Sequence, residues 1–249
     1  MKYAEISIVI PCHKEAEVIE TNILTVNEYL RGLFDRYEII VVTDGSPDGT
    51  SDAIDGLVKI HSDIPLTHIR FAENRGKGAA VKAGVLASRF ETVLFMDADL
   101  TIPIEELDEF MSALGQSDIA IASRLAPGAK FEEPVPWYRV LMARGFHLLQ
   151  ILILGNFEFS DTQCGFKLFR RNVALDIFRR ITIRRFAFDA ELLFLAKHLD
   201  YRVAILPVTV RKDPRDTNVR IVRDPIDMLF SLLQIRLNDL LGRYENGRQ

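Results

Sequence analysis

The chain has 249 residues, 48% of them hydrophobic and 27% charged, which describes a folded globular protein and excludes a disordered one. A formal net charge of −4 argues against a general nucleic-acid binder. No run reaches the roughly 18 apolar residues of a spanning helix; LLQILILG (148–155) comes nearest, so the chain is not expected to cross a membrane by itself.

The amino-terminal MKYAEISIVIPC is too short an apolar run for a secretory signal, and ISIVIP (6–11) is predicted to be the first strand. Pro11 closes it, and Glu15 opens a helix-period segment over 15–30. YEIIVVTD (37–44) is the second strand. In the T-D-G-S-P-D-G-T stretch after it, Gly45 permits a sharp turn and Thr50 is expected to cap the next helix. Asp44 is either a turn acid or an acceptor for a nucleobase imide or ribose hydroxyl. LTHIRF (66–71) is the third strand. ENRGKGAAV (73–81) then sets Arg75 and Lys77 among glycines at the start of a helix over 77–90, as an anion-facing loop or a flexible basic turn. The fourth strand, TVLFMD (92–97), runs into Asp97 and Asp99. Carboxylates at i and i+2 project to one side of a strand end, which suits a hard-oxygen site for Mg²⁺ or Mn²⁺ or, alternatively, helix capping. DIAIAS (118–123) is the fifth strand, ending beside Arg124. Strands alternating with helices predict an α/β fold with a mostly parallel, doubly wound sheet, whose ligands sit beyond the carboxyl ends of the strands.

After Arg124 the pattern changes. A stretch with three prolines (127–136) precedes a helix near 137–154, an irregular DTQCGFKLF (161–169), a helix near 187–198, a strand YRVAILPVTV (201–210) and an amphipathic helix (224–241). There is no internal repeat or flexible linker. The reading is one domain over 1–249, with a nucleotide-binding part (1–124) and a part completing a second pocket (125–249). FDAELLF puts Asp189 and Glu191 at a helix start, where the macrodipole favours them; Asp189 is also a candidate for a sugar hydroxyl. His147 reads as a hydrogen-bonded core or interface residue, and Trp137 as a lipid-headgroup contact or a staple at the helix start. Ile226, Leu229, Phe230, Leu233, Leu237 and Leu241 form one apolar stripe. Either this stripe and the 139–155 helix bury themselves in the core or against a second copy of the chain in a homodimer, or at least one lies on a membrane surface beside Arg220 and Arg223. Cys12 and Cys164 have no metal-ligand spacing and read as free thiols of a reducing, cytoplasmic compartment.

A dinucleotide site is excluded, since no G-x-G-x-x-G follows the first strand, and a P-loop is also missing. The strand ends offer acids instead: Glu15, Asp44, Asp97 and Asp99. Four at neighbouring strand ends need a cation or hydrogen-bond donors to offset their repulsion.

P-C-H-K-E (11–15), T-D-G-S-P-D-G-T (43–50), N-R-G-K-G-A-A (74–80), D-A-D-L (97–100) and S-R (123–124) together resemble the inverting GT-A glycosyltransferases. D-T-Q-C-G-F-K-L-F (161–169) and F-D-A-E-L-L (188–193) are similar to the polyprenyl-phosphate branch, which contains dolichyl-phosphate glucosyl and mannosyl enzymes. The match runs in order from about residue 5 to 237. The resemblance implies that Asp97 and Asp99 hold Mg²⁺ or Mn²⁺ on a nucleotide diphosphate. It implies that Glu15, Asp44 and the backbone near Pro11 bind the nucleoside, that Lys77 faces an anion, and that Arg124 binds phosphate. Arg139, Arg144 and Lys167 are further cation candidates for a lipid phosphate. The implied reaction is transfer of a hexose, glucose from UDP-glucose first, to a polyprenyl or dolichyl phosphate at the cytoplasmic face of a membrane. GDP-mannose as donor, a sugar hydroxyl as acceptor, or a silent nucleotide-sugar-binding module are the alternatives. Three positions depart from the pattern: Lys14 where many relatives have Asn, Thr43 where many have Asp, and Thr101 where mannosyl enzymes often have Gln.

Overall fold

A computed structural model describes residues 2–155, 158–212 and 223–245, with backbone alone for 138, 139 and 223–226. The strands are β1 (Tyr3–Cys12), β2 (Phe34–Asp44), β3 (Leu66–Phe71), β4 (Thr92–Met96), β5 (Ile119–Ser123), β6 (Lys130–Phe131), β7 (Phe166–Arg170), β8 (Val203–Pro207) and β9 (Thr209–Val210). The helices are α1 (Ile19–Leu33), α2 (Thr50–Ile60), α3 (Lys77–Ala87), α4 (Leu107–Leu114), α5 (Trp137–Leu154), α6 (Arg171–Arg180), α7 (Phe188–His198) and α8 (Arg223–Leu240).

Seven strands form one sheet in the order β3-β2-β1-β4-β7-β5-β8, and β6 pairs with β9 separately. All neighbours in the large sheet are parallel except β7, which runs antiparallel to β4 and β5. This is the α/β, Rossmann-like architecture anticipated from the alternation of elements, and the kind of fold that the resemblance to GT-A enzymes implies. Strands buried on both faces read as continuous apolar runs, and here successive residues feed two cores. Ile8, Ile10, Ile39, Val41, Leu94 and Met96 pack under α1, α2 and α4. Val9, Val93, Phe95 and Phe169 pack under α3, α6, α7 and α8.

Four local expectations differ from the structure. The helix expected from residue 15 begins at Ile19, because 15–18 form a turn in which the Glu15 carbonyl accepts the Val18 and Ile19 amides. The supposedly irregular FKLF is β7, a strand in the middle of the sheet; the charge of Lys167 concealed it, yet that side chain is fully buried. The expected strand 201–210 is broken into β8 and β9 after Pro207, which has no amide to donate. Helix α6, absent from the reading, buries Val173, Ala174, Ile177 and Phe178 between its charges.

The last helix is also placed differently. Leu232, Ile235 and Asn238 are the buried side of α8, whereas Phe230, Leu233, Leu237 and Leu241 of the anticipated stripe face outward. Glu191 helps anchor this region: its carboxylate accepts the Thr182 and Ile183 amides and the Thr182 and Tyr244 hydroxyls. Among the described residues, no helix is long and apolar enough to cross a membrane.

Candidate active site at the strand ends

The antiparallel direction of β7 matters for the site. Met96 of β4 is registered with Phe166, so the loop preceding β7 arrives where the parallel strands end. Asp97 leaves β4 there and its amide donates to the Gly165 carbonyl at 2.9 Å. A Cβ on Gly165 would stand 2.0 Å from Asp97 Oδ2, so only glycine lets the carboxylate lie against this loop. Asp99 Oδ1 accepts the amide and hydroxyl of Thr101, each at 2.9 Å. Between and after them the chain turns sharply, with Leu100 at φ 54. A left-handed, non-glycine residue of this kind is strained and recurs at functional sites.

Cations surround these acids. Lys77, the first residue of α3, places Nζ 2.7 Å from Asp97 Oδ1. Burial alone would lower its ammonium; the charges of Asp97 and Asp189 outweigh that and hold it above its usual value. Arg124 donates its amide, Nε and Nη2 to Asp161 in a planar fork, at 2.8, 2.9 and 2.8 Å. Burial works against the Arg124 charge, but the Asp161 hydrogen bonds raise it further above its ordinary range. Both ammonium groups of Lys77 and Lys167 lie near the Phe95 ring, 5.4 and 5.6 Å from its centroid.

Several expected contacts turn out to be internal braces. Asp44 is buried and its two oxygens accept the Arg75 and Gly76 amides at 2.6 and 2.8 Å, so it fixes the loop that leads into α3. Gly45 (φ 61) lets that loop come close, since a Cβ there would stand 2.4 Å from the Asn74 nitrogen. Lys167 and Asp189 were expected to touch substrate. Instead both are sealed off, side chains 0% and 2% exposed, and pair at 2.5 Å. Lys167 also donates to the Cys164 carbonyl at 2.6 Å, and burial pushes the Asp189 carboxyl up against the pull of Lys167 and Lys77. Their effect on the site passes through the loop they hold. Thr50 does not cap α2: its hydroxyl accepts the Glu15 amide and donates to Asp48, while Asp48 accepts the Thr50 amide. Glu15 and Pro11 border the same end of the sheet and stay partly exposed.

Lys14, in the same loop, has φ 62, a conformation that asparagine tolerates better than lysine, which gives its departure from the pattern a backbone meaning. Arg144 is exposed on α5; Arg220 and the side chains of Arg139, Arg223 and Ile226 lie outside the described residues. Among the described residues no partner hydrogen-bonds His147 Nδ1. Sequence reasoning missed Asp161, although a lone acid opening DTQCGFKLF is the natural complement of an arginine ending β5. It also missed Gly165.

The donor set fits a hard divalent cation. Two carboxylates follow one strand end two residues apart, Gly165 leaves no side chain in front of Asp97, and a positive group already sits on Oδ1. Among the described residues no third His, Cys, Asp or Glu joins them in a cluster.

Residues 7–178 match Glycosyl transferase family 2. The dolichyl-phosphate beta-glucosyltransferase of Drosophila melanogaster is 34% identical over 78% of this chain and 63% of its own length. The human protein of that name is 32% identical over 82% of this chain and 66% of its own. The chain thus spans a little under two thirds of these relatives. Among solved structures, glucosyl-3-phosphoglycerate synthase from Mycobacterium tuberculosis, in complex with Mn²⁺, UDP-glucose and phosphoglyceric acid, superposes with a TM-score of 0.64 at 19% identity, over 97% of this chain and 80% of that one. Mannosyl-3-phosphoglycerate synthase from Rubrobacter xylanophilus gives 0.62 at 17%, over 98% and 77%. Sheet order, paired strand-end aspartates and these matches agree: the chain belongs to glycosyl transferase family 2.

Proposed function

We propose that this domain transfers glucose from UDP-glucose to a polyprenyl phosphate, with inversion at the sugar carbon and with Mg²⁺ or Mn²⁺ held by Asp97 and Asp99. The observation that carries the reading is the pair of carboxylates at the end of β4, collared by Lys77 and the Asp161-oriented Arg124. The names of the relatives supply the sugar and the acceptor class. When bound, the cation neutralises charge growing on the departing diphosphate.

The remaining work falls to the chain's own groups. Loop 74–76, fixed by Asp44, and Lys77 at the start of α3 present positive potential to the diphosphate. Glu15 and the backbone near Pro11 border the nucleoside. Arg124, aligned by Asp161, holds the acceptor phosphate. A phosphate monoester is already anionic at neutral pH, so no residue has to remove a proton from it, unlike a sugar hydroxyl.

The lipid part meets a surface suited to it. Trp137, Leu141 and Leu152 of α5 and Phe230, Leu237 and Leu240 of α8 are exposed, Trp137 by 77%, Leu152 by 70% and Phe230 by 65%. We assign this face to the bilayer surface, on the cytoplasmic side, where two unpaired thiols are at home.

The test is to incubate the protein with Mn²⁺, a polyprenyl phosphate and either UDP-glucose or GDP-mannose, and to weigh the lipid product. A hexosyl lipid is expected from UDP-glucose, with turnover lowered on the order of hundreds-fold in Asp97→Ala and Asp99→Ala. Product from GDP-mannose alone would transfer the assignment to a mannosyl donor. Full activity of both variants, or in excess chelator, would remove the metal from the reading.

A further inference from the structure

The ion pair between Lys77 and Asp97 has a consequence for the order in which ligands assemble. Asp97 Oδ1 is held at 2.7 Å by the Lys77 ammonium, and Asp99 Oδ1 is occupied by two donors from Thr101. A divalent cation arriving alone therefore meets a carboxylate already neutralised by the Lys77 ammonium, and the two cations repel. Lys77 is not locked in place as Lys167 is. Its side chain is 21% exposed, and it springs from the first residue of α3, beside the Arg75 and Gly76 amides that Asp44 holds in position. A diphosphate delivered to that loop offers the ammonium a second anion within the same site.

Resting on the functional reading above, we infer that Lys77 is a placeholder cation: it occupies Asp97 until a nucleoside diphosphate draws it away, so that the divalent metal and the nucleotide bind synergistically. Binding couplings are reciprocal, so the factor by which UDP tightens the metal equals that by which the metal tightens UDP. Removing the ammonium breaks both halves of this exchange. The metal then reaches Asp97 unopposed, and the nucleotide loses one of its cations.

Mn²⁺ binding, followed by electron paramagnetic resonance of the free ion and by calorimetry, separates the possibilities without any turnover. For the wild-type protein, saturating UDP should tighten Mn²⁺ binding by about tenfold or more. In Lys77→Met, Mn²⁺ alone should bind about fivefold or more tighter than to wild type, and the added effect of UDP should fall by about the same factor, to what direct contact of the diphosphate with the metal supplies. Lys77→Gln, which keeps a polar end without the charge, should behave the same way, and circular dichroism checks that each variant is folded. Asp97→Asn should abolish the site in every background. If Mn²⁺ binds in an Asp97-dependent manner but equally to wild type and to both Lys77 variants, the placeholder role is overturned while the functional reading stands. If no Asp97-dependent Mn²⁺ binding occurs with or without UDP, both fall together.

Discussion

Arg124 and Asp161 show how a single pair sets the geometry of the site. The carboxylate takes three donors from one arginine, and its side chain is 6% exposed against 39% for Arg124. Burial alone would raise the Asp161 carboxyl; the Arg124 hydrogen bonds and charge reverse this and hold it below its ordinary value. A depressed carboxyl contributes stability that is fully present above the unfolded value near 3.9 and is lost as pH falls through the folded value. Asp161→Asn should therefore begin less stable at pH 7, by about 1–3 kcal/mol, less than for a fully buried pair because Arg124 is partly solvated. Its urea midpoint should also fall less than that of wild type between pH 5 and pH 2. Parallel slopes for the two proteins would show that the pair does not set the acid limit. At this scale the sequence exposed the residues that end strands, Asp97, Asp99 and Arg124, since a charge closing an apolar run stands out. It did not expose Asp161 or the buried pairing of Lys167 with Asp189, because partners 37 and 22 residues away leave no periodic trace.

Whole elements were legible where one periodicity dominated, and misleading where two were superposed. Strands β1 to β5 and helices α3, α5 and α8 lie within a few residues of their expected bounds. On α8, however, leucines and isoleucines at spacings of 3 and 4 trace two stripes, and spacing alone cannot say which one packs. The buried stripe contains a polar residue, Asn238, whose amide reaches Thr182 and whose oxygen accepts from Arg243. That hydrogen bonding makes its burial tolerable and made the stripe look polar in the sequence. Serine substitutions tell the two faces apart. Leu232→Ser should cost about 3 kcal/mol or more in unfolding free energy, since it leaves a cavity and buries a hydroxyl. Leu237→Ser should change stability by only about 0.5 kcal/mol, yet weaken sedimentation with anionic vesicles. Unfolding of Leu237→Ser to the same extent would mean that this face is covered by protein. Unchanged sedimentation, together with concentration-dependent dimerisation lost in the variant, would give the face to a second copy.

At the scale of the molecule, the alternation of elements conveyed the parallel sheet but not its one reversed strand, and that strand joins the two parts of the chain. Because β7 lies between β4 and β5, residues from beyond 125 stand in the centre of the sheet. Replacing residues 127–160 with the corresponding stretch of a relative, while keeping the α5 side chains Phe146, Leu149 and Ile153 that face the core, should leave UDP affinity by calorimetry unchanged and alter only which acceptor is used. Loss of UDP binding in a folded chimera would show that the two activities are not separable. The pairing of β5 with β7 has one more consequence. It makes the whole excursion from Arg124 to Gly165 an oversized hairpin loop, its two ends side by side in the sheet and clasped by Arg124 and Asp161. Doubling the length of such a loop costs only about 0.6 kcal/mol in closure entropy. On the proposed reading, in which residues 1–124 bind the donor, this segment can lengthen, shorten or be traded with the donor half left intact, so that a new acceptor needs an insertion and not a rebuilt fold.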